Sequence, residues 1–333
     1  MPSAALTNCI KGNFTRAVLY EGMDLQPIST ARPAAPMTKP EIFSRSFRAA
    51  PSASRERHWV RQDPFATAFF NALSAVFPHG ETFMIRSLAP WVDRVPEPLK
   101  SEVKAFIAQE AAHSREHVAM NKGLIDAGYD IAPLDRKIRA FVSFFQDASD
   151  TVKLSATMCI EHFTAIIAAE ILKNPHHLEG VDNNMRELWL WHAVEEVEHK
   201  GVAFDVWNYA TRDWSAVRRY AWRSFFMLAV TTSFFINRTL GQIELLRQDG
   251  VGFWTSVRCV LRSGFGKNGI GRNVLHPWAS FFRPSFHPWD HDDRPLLAQG
   301  EANLATISAE RAGFEAADLS TRLSTAVKYS AAA

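Results

Sequence analysis

The chain has 333 residues, 47% of them hydrophobic, with 37 Lys and Arg against 35 Asp and Glu. A net charge of +2 argues against nucleic acid or an anionic membrane as its main partner. Cys9, Cys159 and Cys259 lie far apart with no Cys-x-x-Cys, so neither a thiolate metal site nor a disulfide framework is indicated, and a cytoplasmic location is expected.

Residues 1–58 begin without an apolar signal segment and become rich in Pro, Ala, Ser and Arg, which reads as a mostly flexible leader. A first helix is expected over 64–91. Its inward seam is Phe70, Leu73, Phe77, Glu81, Met84 and Leu88, and Pro78 marks a kink or a late start. A second helix, 98–127, repeats its seam at alternating steps of three and four: Val103, Phe106, Glu110, His113, His117, Met120 and Leu124. A connecting helix within 134–145 leads to a third, 151–173, with Leu154, Met158, Glu161, Ala165, Ala168 and Leu172 on the seam. The fourth, 181–211, carries Trp189, His192, Glu196, His199, Ala203 and Val206.

A further helix is expected over 216–247. Within it, residues 224–237 are uncharged and flanked by Arg223 and Arg238, too short a run to span a bilayer, which needs about 20 residues. This segment reads as a buried fifth helix, with peripheral membrane contact at most. Past Gly250 come the glycines of GFGKNGIGRN, read as a flexible turn, then the aromatic and proline-rich run HPWASFFRPSFHPWDHDD and a short helix over 301–317. His287, Asp290, His291, Asp292 and Asp293 suit local hydrogen bonding and capping better than a second metal site. The expected fold is all-α: a four-helix bundle of ferritin-like type over 59–250, plus a C-terminal extension over 251–333 packing on it.

Two glutamates on separate helices, Glu81 and Glu161, together with Glu110-x-x-His113 and Glu196-x-x-His199, make a dimetal ligand set for such a bundle. Ligands can meet only at one height. The midpoint of Glu81 and Glu110 falls among Asp93 to Pro98, and that of Glu161 and Glu196 among Asn174 to Gly180, so each hairpin turn lies equally far from its two carboxylates. Burying four carboxylates without a cation costs several kcal/mol per unpaired ion, and no Lys or Arg sits on the four seams. Four carboxylates and two imidazoles suit two iron ions, or manganese, with Glu110 and Glu196 bridging. His117 and His192 are also on the seams and could be extra ligands, hydrogen-bond donors to ligands, or core histidines; Glu195 lies off the seam beside the site.

The segments FPHGETF, QEAAHSREH, EHFTAIIAAE, WHAVEEVEHKGVAFDV and FHPWDHDD resemble a bacterial family labelled predicted metal-dependent hydrolases. The resemblance runs from about Trp59 to Leu297 and implies the same six ligands. Three functions are therefore expected, in order. The first is a di-iron oxidoreductase that uses O2 and an electron donor on an apolar small molecule, with Phe225, Phe226, Phe234, Phe235, Phe281 and Phe282 as candidate pocket walls. The second is a dinuclear hydrolase and the third an iron-storage protein. A homodimer is compatible with each of them.

Overall fold

A computed structural model describes residues 39–43, 45, 47 and 56–311, and every regular element among them is helical. The helices are α1 (Pro64–Ser74), α2 (Phe77–Leu88), α3 (Leu99–Asp126), α4 (Ala132–Phe144), α5 (Asp150–Lys173), α6 (Asn183–His199), α7 (Val202–Ala210), α8 (Ala216–Gln248) and α9 (Phe253–Phe265). Short α10 (Ile270–Asn273) and α11 (Leu275–Ser280) precede α12, described over 294–311. Several starts are written in the sequence as side chains that satisfy the first free amides. Asp63 accepts from Phe65 and Ala66, Ser149 from Val152, Asp182 from Asn184 and Met185, and Ser215 from Arg218.

Two helices expected to be continuous are broken. The 64–91 segment divides at Ala75 and Val76, and Pro78 then occupies the first turn of α2, where its missing N–H costs nothing. Pro78 thus marks a late start. The 181–211 segment divides at Lys200 and Gly201, immediately after His199. A Cβ on Gly201 would lie 2.9 Å from Nε1 of Trp289, so the glycine lets the C-terminal aromatic run pack directly against the break. Lys200 closes that joint, its ammonium 4.1 Å from the Trp289 ring centre and donating to the His291 carbonyl at 2.9 Å.

Both predicted hairpins form. α2 and α3 pack along each other across the turn that follows Ala89–Trp91, and α5 and α6 do so across Pro175–Leu178. Arg94, in the first turn, bonds Asp150 at the start of α5 at 2.9 Å, so α3 and α5 begin at the same end of the bundle. The chain must therefore cross the bundle's length between them. α4 makes that crossing beside α2: Asp135 meets His79 at 2.8 Å, and Phe141 and Phe145 meet Phe83 farther along. The connection between α3 and α5 is thus a crossover.

α5 is the central helix. Among the described residues it alone is long and apolar enough to cross a membrane by composition, yet 83% of its most apolar stretch is buried, as for a core helix. The expectation of a buried helix over 224–237 needs correction. In α8, Phe226, Met227 and Val230 face the core, whereas Phe225, Leu228, Phe235 and Ile236 are exposed. An apolar run with helical spacing can be amphipathic in placement without polar residues to announce it.

The leader lies largely outside the described residues, but residues 39–43, 45 and 47 rest on the bundle: Phe47 stacks on Trp191 at 4.6 Å and Phe43 accepts from Gln109. The C-terminal polar cluster is capping and pairing, as read from the sequence. His287 and Asp290 form a reciprocal cap, Asp292 pairs with Arg294, and Asp293 with Lys200. The glycine turn is compact rather than open, since a Cβ on Gly269 would come within 2.2 Å of the Gly264 carbonyl oxygen.

Candidate metal centre

The helices converge on the six acid and imidazole groups picked out by spacing. Glu110 and His113 come from α3, Glu196 and His199 from α6, Glu81 from α2 and Glu161 from α5, and none is more than 1% exposed. Ligand atoms of Glu110, His113, Glu196 and His199 lie within 4.8 Å of one another, as do those of Glu81, His113 and His192. Glu161 joins through His199, whose Nδ1 is 2.6 Å from its Oε1.

What these groups lack is as telling as where they are. Both carboxyl oxygens of Glu81 and of Glu110, Oε2 of Glu161 and of Glu196, Nδ1 of His113 and Nε2 of His199 are buried without a hydrogen-bond partner. Each such group ordinarily costs about 1–3 kcal/mol, more when charged, so a cluster of them demands a compensating ligand. Nε2 of His199 does lie 3.3 Å from Oε1 of Glu110, close enough for attraction but misdirected for a hydrogen bond. A cluster of bare carboxylate oxygens and imidazole nitrogens facing one another fits divalent cations.

Electrostatics tells the same story. Burial, then the neighbouring glutamates, push the carboxyls of Glu81 and Glu110 far above the usual carboxylate range. Burial also lifts Glu161 to about 7. His199 is held up to about 9: burial opposes its charge, but Glu161 and the other carboxylates outweigh it. Glu196 is the exception, lowered because its contact with His192 overcomes the effect of burial. Without a cation, the site must retain protons that a cation would displace.

Glu195, off the seam, orients His113. Its Oε2 lies 3.1 Å from Nε2 of His113, and its Oε1 accepts from the Arg45 amide at 3.0 Å. An N–H directed at Glu195 leaves the lone pair of His113 Nδ1 facing Glu110 and Glu196, in the manner of carboxylate–histidine–metal arrangements. The Arg45 side chain clamps Glu198 through both terminal nitrogens. Spacing alone did not reveal Arg45, because its segment lacks periodicity and meets the site only through folding. Glu195→Gln is expected to weaken metal binding by roughly 10–100-fold while leaving helix content unchanged, measured by metal titration and circular dichroism.

The two remaining seam histidines separate. His192 is part of the cluster, with Nε2 3.0 Å from Oε1 of Glu196. His117 stands one step behind, with Nε2 3.0 Å from Nδ1 of His192 and Nδ1 3.0 Å from the Ser74 hydroxyl. Ser74 donates to Asn121 Oδ1, so it must accept from His117 Nδ1–H, and neutral His117 in turn accepts from His192 Nδ1–H. That order turns Nε2 of His192 toward the cluster. Burial, and then His192, hold His117 neutral.

Beside Glu196 and His192 opens a narrow cleft walled by Leu73, Phe77, Thr164, Ile167, Ile171 and Trp189, with room for little more than one water. The six phenylalanines expected as pocket walls do not line it. Phe281 is core, Phe234 stacks on Phe163, and Phe225 and Phe235 face outward.

The model of a family described as predicted metal-dependent hydrolase matches residues 44–292, three quarters of the chain, and the protein belongs to that family. No curated protein and no solved structure matches it.

Proposed function

Starting from that membership, we propose that the protein is a dinuclear metal-dependent hydrolase. The observation that carries this reading is the convergence of Glu81, Glu110, His113, Glu161, Glu196 and His199 with eight buried donor atoms unpaired. These six would hold the metal, with Glu110 and Glu196 central among them, since each belongs to the four-residue group and faces imidazoles from both Glu-x-x-His segments. Divalent ions held there would lower the pKa of a bound water and polarise an ester, amide or phosphate oxygen.

The chain's own groups supply the rest. Glu195 fixes the tautomer of His113, and Arg45 holds Glu195 and Glu198 in place from the other side. The line Glu196, His192, His117, Ser74 is an unbroken set of contacts of 3.0 Å that fixes the His192 ring beside Glu196. The aliphatic and aromatic walls of the cleft keep bulk water from the carboxylates.

A second reading, oxidation of an apolar small molecule by two iron ions with O2 and an electron donor, is favoured by one observation: the cleft touching Glu196 is lined mainly by apolar side chains. The two are separated by loading the metal-free protein anaerobically with Mn(II), Zn(II) or Fe(II) and offering ester, amide and phosphoester panels. Cleavage without O2, dependent on metal, is the expected result. Turnover only with Fe(II), O2 and a reductant would replace the first reading with the second, and uptake of many irons per chain would overturn both.

A further inference from the structure

Charge along this chain is segregated. Residues 214–243 and 250–289 contain nine Lys and Arg and not one Asp or Glu, so all 35 acidic residues lie elsewhere. These two stretches build α9 to α11 and α8 as far as Ile243, its last turn adding Glu244 paired with Arg247, and the structure sets α8 and α9 side by side: Phe235 and Phe265 meet with ring centres 6.0 Å apart.

The outer faces of this pair are apolar at helical spacing. Along α8, Phe225, Leu228, Ile236 and Leu240 point outward, Phe225 being 65% exposed. Along α9, Trp254, Arg258, Leu261 and Phe265 form one exposed stripe at steps of four, three and four, with Trp254 78% exposed. Single exposed apolar residues are ordinary, but a stripe continuing from one helix to the next marks a contact surface. Arg258 within it, and Lys267 and Arg272 just beyond, are exposed basic residues in the same acid-free stretch.

We propose that the α8–α9 face docks on an anionic lipid bilayer. Its aromatic and aliphatic side chains would enter the headgroup boundary while the surrounding Arg and Lys meet lipid phosphate and carboxylate. The helices would lie on the surface rather than cross it. The uncharged run 224–237 is too short to span, and Phe226, Met227 and Val230 on its other side are committed to the core. A second copy of the chain is a poorer occupant, because a two-fold contact would join two copies of a face whose charged side chains from the acid-free stretches are all basic.

The test is vesicle flotation with the full chain, comparing phosphatidylcholine alone with phosphatidylcholine containing phosphatidylserine. The protein is expected to float with the anionic vesicles and not with the neutral ones. Trp254→Ala should reduce partitioning by roughly tenfold, and Arg258→Gln by roughly fivefold, the latter effect fading in high salt. Both residues are exposed and distant in sequence from the metal ligands, so helix content and metal content should stay unchanged. No flotation with anionic vesicles at low salt overturns the proposal. So does self-association of the wild type by light scattering that Trp254→Ala abolishes, which would assign the face to a second copy.

Discussion

Metal-free protein is expected to lose stability as the pH is raised from about 5 to 9, and metal-loaded protein to lose far less. Glu81, Glu110 and Glu161 have carboxyls lifted above their unfolded values, Glu161 to about 7. The folded chain therefore holds protons that the unfolded chain releases, and stability present below the unfolded pKa drains away as pH climbs through the folded one. Moving Glu161 from 4.5 to about 7 corresponds to about 3 kcal/mol at pH above 7. His199, raised to about 9 by its carboxylate neighbours, has the same sign and loses its contribution between about 6.5 and 9. Because it shares a hydrogen bond with Glu161, the two contributions do not simply add. Glu196, lowered instead, works in the opposite direction.

A divalent cation replaces those protons, so its stabilisation should grow with pH. At a free metal concentration 100 times Kd it adds about 2.7 kcal/mol. The measurement is thermal unfolding of chelated and Mn(II)- or Zn(II)-loaded protein at several pH values. Parallel pH dependence in the two forms would show that the carboxylate cluster does not hold the metal.

Glu110→Ala is expected to abolish stoichiometric metal binding. Glu110 is fully buried, belongs to the four-residue cluster that could hold a metal ion, and offers two oxygens with no protein partner. The conservative Glu110→Gln keeps the shape and removes the charge. It should lower metal affinity by two orders of magnitude or more yet make the metal-free protein at pH 8 more stable than metal-free wild type, because an uncompensated buried carboxylate has gone. Gain of apo stability with loss of binding is the signature of a site built for a ligand rather than for the fold. Two metals bound per chain by Glu110→Ala, measured by elemental analysis after dialysis, would remove Glu110 from the ligand set.

Much of this was legible from residue spacing, for a simple reason. Along a helix, spacing sets the angle at which a side chain leaves the axis, and distance from a turn sets its height. Those two coordinates sufficed to bring Glu81, Glu110, His113, Glu161, Glu196 and His199 into one buried cluster and to place both hairpins. The break after His199 escaped, because it depends on Trp289 arriving at Gly201 from 88 residues away. So did the docking of Arg45, which reaches Glu195 and Glu198 across 150 and 153 residues with no periodic pattern to predict it.

What the sequence determined by itself is which side chains share a face and a level, since backbone geometry repeats every turn. Only the tertiary structure decided which imidazole nitrogen faces the cluster, that His192 stands within it and His117 behind it, and that half of α8 looks outward. Those outcomes depend on which surfaces meet when helices pack, and packing is settled by complementary shape and hydrogen-bond demand between segments far apart in the chain.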